Sequence, residues 1–371
     1  MNQQKTVVTF VSHQFIPALN GGQKGILGYQ EYLSRYAKVV TLSANTNPSV
    51  HSSPIHLVRG FEDKKWKYFN PCIAWKLYQL CKQHKASSLL VEQPYGGILG
   101  WIAARLAGVK LVVYARNIEY LRFKTYGKWW WILLFPLEYF VFYVSDKILF
   151  VSYDELEYVV KHLRISQNKC IYSAHGTHHT GLPQPPPKSK QQIASLYGFQ
   201  PEEKWFIFYG LQSYQPNWEA VLEIVERIAP LCQKSFHFPF RFIIAGGGLP
   251  QEIQKNIQLS GLPISYLGFV EDIDSLVQYA DAMVNPIYSG GGVKTKVIEA
   301  IALNTTVVSY FTGSLGMHKK ACGEKLRIVA DRDAQSFVSV LQEVIHANVS
   351  TPSSFYEEYF WDNVVKKYPY L

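Results

Sequence analysis

Read for its apolar and polar positions, the chain breaks into short apolar runs separated by helical-length segments. In the first half the runs are Thr6–Val11, Val39–Leu42, Ser88–Val91, Lys110–Tyr114 and Lys147–Val151. Strands that alternate with helices predict a parallel sheet with helices on both faces. A second series follows Gly181-Leu-Pro-Gln-Pro-Pro-Pro-Lys188, where three consecutive prolines exclude a helix or central strand. It comprises Trp205–Tyr209, Arg241–Ala245, Ile264–Leu267, Ala282–Asn285 and Thr305–Tyr310. The predicted fold class is α/β, with two Rossmann-like domains facing a cleft. The predicted division is an amino-terminal domain over 1–180, a linker over 181–192, a carboxyl-terminal domain over 193–350 and a crossover helix over 351–371. Within that last segment, Phe355–Leu371 reads as amphipathic and is expected to return to the first domain as core packing. Ligands of open parallel sheets sit beyond the carboxyl ends of the strands, so the loops there are where chemistry is sought.

One segment departs from this pattern. Residues 120–143 hold eleven aromatic rings, flanked by Arg116, Arg122, Lys124 and Lys128. The apolar run from Trp129 to Val144 is interrupted by Pro136 and Glu138 and is shorter than the roughly 20 residues a bilayer span needs. Two readings stay open: a buried core between helices, and an interfacial helix whose rings enter the headgroup region beside anionic lipid. Because Trp129, Trp130 and Trp131 point all round a helix, at least one is expected to be exposed or packed on a second surface.

Composition adds an asymmetry. The 371 residues carry 37 basic and 28 acidic side chains, a net charge of +9. Residues 1–180 hold 21 basic and 10 acidic side chains, and residues 181–371 hold 16 and 18. The amino-terminal half is therefore expected to face something anionic, such as a phospholipid surface, a diphosphate-linked substrate or a nucleic acid. An aromatic content of 15% excludes a disordered chain. Five cysteines without a Cys-x-x-Cys pair fit a reducing compartment and no structural zinc. The start, MNQQKTVVTFVSHQF, lacks an apolar leader pattern and reads as strand rather than signal peptide.

The most informative stretch runs from Asn285 to Ser309. A strand ends at Pro286, Gly290, Gly291 and Gly292 follow, and a helix is predicted from about Val293 to Leu303. Glycine before a helix lets backbone amides approach an anion, where the helix dipole also favours negative charge. Lys294 and Lys296 in the first turn are disfavoured by roughly 0.3–1 kcal/mol unless a phosphate binds. The alternative is that both are solvated, with Lys296 pairing Glu299.

These residues sit in a chain that resembles the retaining GT-B glycosyltransferases of the GT4 type. The resemblance rests on Phe15–Gly22, Asn117–Arg122, Phe208–Asn217, Ile243–Gly248, Leu267–Asp272, Tyr279–Pro286 and Gly290–Ser309, in family order. It implies that Glu299 binds the ribose of a nucleotide-sugar donor. Gly290, Gly291, Gly292 and Val293 amides, with Lys294 or Lys296, would hold the diphosphate. It places Gly210 in the loop over the phosphates, Gly246 with the donor site, Phe269 and Val270 beside the nucleobase, and Gly21 and Gly22 where donor sugar and acceptor meet. Amides and ammonium groups neutralise a leaving diphosphate, and a carboxylate accepts hydrogen bonds from a diol.

Several features depart from the family pattern or stay open. The position eight before Glu299, commonly a second glutamate, is Gly291. Arg116 stands where a histidine is common before Asn117; it either binds an acceptor phosphate or sugar or is a surface arginine. Leu211–Trp218 lacks the usual arginine and lysine, for which Lys294 and Lys296 would compensate. Asn117 and Glu119 either orient the acceptor or cap the next helix. His13 and His175 are read mainly as structural, and the His175–His179 cluster as no zinc site.

The expectation is a cytoplasmic glycosyltransferase, peripheral at the inner face of the membrane, moving a hexose from a nucleotide sugar to a hydroxyl. The acceptor is expected to be a lipid-linked or other glycan in surface polysaccharide or glycoconjugate assembly, with an anionic membrane surface as partner. No cofactor, no metal and no nucleic acid are expected. The alternatives are a degenerate GT-B scaffold and a GT-B sugar epimerase.

Overall fold

The computed structural model describes residues 5–48 and 54–371. The first four residues of the segment read as leaderless lie outside the described residues. The chain forms two compact units, Met1–Gly176 with Tyr359–Leu371, and Thr177–Glu358.

In the first unit, β1 (Thr6–Val11), β2 (Lys38–Ala44), β3 (His56–Phe61), β4 (Ser88–Glu92), β5 (Lys110–Ala115), β6 (Lys147–Phe150) and β7 (Cys170–Tyr172) form one sheet. Their order is β3-β2-β1-β4-β5-β6-β7. Every pairing is parallel, with Val7 opposite both Val39 and Ser88. β1, β4 and all but the first residue of β5 are fully buried, because helices cover both faces.

In the second unit, β8 (Lys204–Tyr209), β9 (Phe240–Ala245), β10 (Ile264–Gly268), β11 (Ala282–Asn285), β12 (Val307–Tyr310) and β13 (Leu326–Val329) follow the order β10-β9-β8-β11-β12-β13. These pairings are parallel as well. Phe206, Phe208, Phe240 and Phe242 build a ring-rich core with Phe236 between β8, β9 and their helices. The strand order reverses beside β1 and β4 in one sheet and beside β8 and β11 in the other. Such switch points open the crevices in which doubly wound sheets bind ligands.

β3, β7 and β13 are absent from the sequence-predicted strands. All three are edge strands in which most residues are partly buried or exposed or the run is only three or four residues long, and Arg59 and Arg327 interrupt β3 and β13. The range 181–192 is also not purely extended: Ser189 and Gln192 form a capping box that starts the helix Lys190–Tyr197.

The terminal segment is two helices, Ser353–Tyr359 and Trp361–Lys366, broken at Phe360. Trp361 is buried within the first unit against Gly28 and Gly176, where a Cβ would fall 2.9 and 2.3 Å from its ring. The aromatic segment forms the helix Trp131–Val144, in which only Glu138, Val141 and Phe142 are buried. Trp129, Ile132, Leu133 and Tyr143 are exposed. The buried-core reading therefore fails for most of this helix. Among the described residues, no helix is long and apolar enough to cross a membrane.

Candidate active site

At the switch point of the second unit, the loops after β8, β9 and β10 are stitched together through backbone bonds. The amide of Gly210 donates to Ala245 O at 3.1 Å, that of Gln212 to Gly247 O at 2.9 Å, and that of Gly246 to Gly268 O at 2.6 Å. Gly210 and Gly246 have φ of 137° and 113°, where L side chains are strained. A Cβ on Gly246 would lie 1.8 Å from Gly210 O, so this layer of loops closes only with glycine there. Val270 is buried beneath the β10 loop, while Phe269 is 83% exposed and offers an open ring face.

The glycine loop after β11 completes this end. Gly290 and Gly292 have φ of 80° and 74°. The helix begins at Thr295 and ends at Ala302, with Lys294 as its N-cap residue, so it starts later than the sequence reading placed it. Lys294 is buried and folds back, donating to Gly291 O at 2.9 Å and Gly292 O at 3.0 Å. It braces the loop that the sequence reading assigned to the diphosphate.

Lys296 points under the β8 loop. Its Nζ donates to Asn217 Oδ1 at 2.8 Å, lies 4.1 Å from the centre of the Phe208 ring, and would meet a Cβ on Gly210 at 3.1 Å. Burial, reinforced by the charge of Lys294 and only partly opposed by Glu299, pushes its pKa down to about 7. The cation that the Leu211–Trp218 loop lacks thus reaches that loop from the helix. Tyr209 donates to Lys296 O at 2.8 Å, and burial together with the nearby Glu299 carboxylate keeps its hydroxyl protonated. Lys296, Tyr209 and Glu299 therefore form one cluster around the start of the helix. Val293 and Glu299 are half-buried.

In the first unit, Asn20 caps the helix Gly21–Leu33, its side chain accepting from Gln23 N, so Gly21 and Gly22 form the first turn. The surface-arginine alternative for Arg116 is overturned, because its side chain is only 9% exposed. Its Nε and Nη2 donate to Glu92 at 3.1 and 3.2 Å, Nη2 also reaches Gly25 O, and the guanidinium lies 3.8 Å over Tyr114. A guanidinium committed to a buried carboxylate holds the loop rather than presenting itself to an acceptor phosphate. His175 is buried against Trp361 and lies next to Gly25, where a Cβ would fall 2.7 Å from its ring.

Asn117 donates to Glu119 at 3.3 Å, and Glu119 also accepts from Tyr95 and Arg122. Glu119 does not cap the helix Glu119–Thr125. Glu138 does, accepting from Glu119 N and Tyr120 N at 3.0 Å, while Glu155 accepts from Ile118 N. Burial raises both Glu138 and Glu155 to about 8, so these caps are largely protonated at neutral pH.

Two family models match the chain in tandem: "Glycosyltransferase Family 4" over residues 28–200 and "Glycosyl transferases group 1" over residues 203–347. The chain belongs to the group 1 glycosyltransferases. No curated protein sequence matches it. Among solved structures it is similar to Anabaena HepE in complex with UDP, at a TM-score of 0.75 and 12% identity over 98% of each chain. It is also similar to sucrose-phosphate synthase from Thermosynechococcus elongatus, at 0.71 and 14%, over 98% of this chain and 94% of that one. A glycosyltransferase from Rickettsia africae gives 0.70 and 13%, over 98% and 97%. At these identities the structural likeness speaks for the GT-B fold.

The sequence reading of this glycosyltransferase gave no role to Asn217, Tyr209 or Glu219. Asn217 lay inside a quoted motif, but only the fold shows it gripping Lys296. Glu219 accepts from Ser289 Oγ, which brings a second carboxylate to the glycine loop where Gly291 replaces the usual glutamate. Against the expectation of no Asp-x-Asp triplet, the chain holds two, Asp272–Asp274 and Asp331–Asp333. Asp272 and Asp333 cap helices through Ser275 N and Ser336 N, and Asp331 accepts from Thr312.

Proposed function

We propose that this glycosyltransferase moves a hexosyl unit from a nucleotide-diphosphate sugar to an acceptor hydroxyl, with retention and without a divalent metal. The observation that carries the reading is Lys296. A half-buried amine held at a pKa of about 7 under a glycine-lined loop is suited to an arriving diphosphate, which restores its charge. The likeness to HepE, solved with UDP-glucose, supports a nucleotide sugar as the donor.

In this reading Glu299 accepts from the ribose hydroxyls, Phe269 flanks the base, and the Gly290–Val293 amides with Lys296 take up the leaving charge. Lys294 holds the loop that presents those amides. As the bond from the sugar C1 to the phosphate oxygen breaks, the acceptor oxygen attacks the same face, and its proton passes to the departing phosphate oxygen. Arg116 and Asn117 position the acceptor loop through Glu92 and Glu119. The pathway is surface polysaccharide or glycoconjugate assembly, carried out at an anionic membrane surface.

The test is a panel of nucleotide sugars incubated with the purified protein and a lipid-linked acceptor extract, with the products resolved by NMR. The expected product is a new linkage with the donor's anomeric configuration. Inverted products would overturn retention, and a free epimerised nucleotide sugar would favour the epimerase alternative.

A further inference from the structure

The first unit contains a cavity of about 370 Å³. It lies among the helices Pro71–Gln83, Gly97–Ala107 and Trp131–Val144, and its walls include Trp75, Ile98, Ile102, Leu106 and Leu137. Volumes of about 300–1,000 Å³ are typical of ligand sites. Ile98, Ile102, Leu106 and Trp75 are all exposed at its rim. Apolar side chains left in water around a ready cavity call for an apolar occupant.

One end of the cavity is polar. Tyr95, in its wall, donates to Glu119 Oε2, the carboxylate that Arg122 also binds. Arg122 Nε is buried without a hydrogen-bond partner. Tyr68, another wall residue, hydrogen-bonds Ser12 at 3.0 Å, and Ser12 directly follows β1. Tyr95 sits three residues after β4. The cavity therefore runs from the apolar rim to the carboxyl ends of β1 and β4, the switch point of this sheet. From Tyr68 to Leu137 the chain carries nine basic residues and two acidic ones, Glu92 and Glu119, and both acids are buried.

We propose that this groove binds the hydrocarbon chain of a lipid-linked acceptor, with the lipid's phosphate at the Tyr95–Arg122 end. The proposal rests on the glycosyl-transfer reading and names the acceptor class for it: an amphiphile with one long apolar chain and an anionic head. Apolar length is read by the groove, and charge by Arg122. Leu137 of the Trp131–Val144 helix lines the same groove.

The test titrates the full-length protein by calorimetry with octyl, decyl and dodecyl phosphate below their micelle concentrations. Octanol and inorganic phosphate serve as controls. Binding is expected to tighten about threefold per added methylene, with octanol weaker than octyl phosphate and inorganic phosphate silent. Ile102→Glu is expected to weaken dodecyl phosphate at least tenfold, and Arg122→Gln to remove the preference for phosphate over alcohol. Leu106→Glu, at a more exposed rim position, is the second groove variant should Ile102→Glu lower the melting temperature.

Absence of chain-length dependence, or full affinity in folded Ile102→Glu and Leu106→Glu proteins, overturns the proposal. So does uptake of dodecyl phosphate only when anionic vesicles are present, which would assign the face to bulk bilayer. A parallel UDP titration separates the two readings. UDP binding without alkyl phosphate binding defeats this proposal alone, whereas the reverse defeats the donor assignment and supports the lipid groove.

Discussion

The amine of Lys296 is half-buried between Asn217 and the Phe208 ring, where a positive charge is costly until an anion arrives. Its pKa of about 7 is below the ordinary 10.5, so above neutrality the empty site is mostly uncharged. A bound diphosphate raises that pKa again. Binding of UDP at pH 8.5 is therefore expected to take up close to one proton, and affinity to fall as pH rises beyond about 7. Calorimetry in two buffers of different ionisation enthalpy measures the uptake, and none at pH 8.5 would remove Lys296 from the phosphate site. Gly246→Ala tests the loop layer around it. The strained backbone alone costs about 1–3 kcal/mol, and the clash with Gly210 O adds to this, so both the denaturation midpoint and UDP affinity are expected to drop. The glycine loop and its lysines were legible from residue types and spacing. The division of labour between them was not, because Lys296 reaches Asn217, a partner far away in sequence that only the fold brings beside it.

At the scale of elements, the short helix Glu119–Thr125 is held by carboxyl groups from two other helices. Glu138 and Glu155 both titrate near 8 against an ordinary 4.5, so the native state binds more protons than the unfolded chain between those values. Their contribution to stability is complete below about pH 4.5 and is lost as pH rises through 8. Urea unfolding of the wild type is expected to show a declining midpoint across that window, and Glu138→Gln a shallower decline. An equal slope in the variant would show that Glu138 is not the titrating cap. Central strands were readable because burial on both faces leaves an unbroken apolar run, as in Thr6–Val11. The edge strands β3, β7 and β13 were hidden because they are short or interrupted by polar residues such as Arg59 and Arg327. Glu138 looked like an interruption in an apolar helix, and only the fold shows it capping another.

For the whole molecule, the +11 of residues 1–180 and the exposed rings of the Trp131–Val144 helix belong to the same unit. Rings in the headgroup region with basic residues beside them predict adsorption to anionic vesicles that weakens as salt shortens the Debye length. Co-sedimentation at low and high ionic strength checks this, and full recovery in the supernatant at low salt would count against it. The charge asymmetry was visible in the sequence, but the choice between core and surface for the aromatic segment was not, since rings adjacent in sequence suit either. The central claim is that the second unit is a working donor site built around Glu299, Lys296 and the glycine loop. Its most direct test is nucleoside-diphosphate release from the preferred nucleotide sugar by wild type, Glu299→Ala and Lys296→Met. The account predicts turnover by the wild type and a loss of kcat/KM of about tenfold or more in each variant, the scale of a hydrogen bond to a charged group. Unchanged turnover in either folded variant would contradict it.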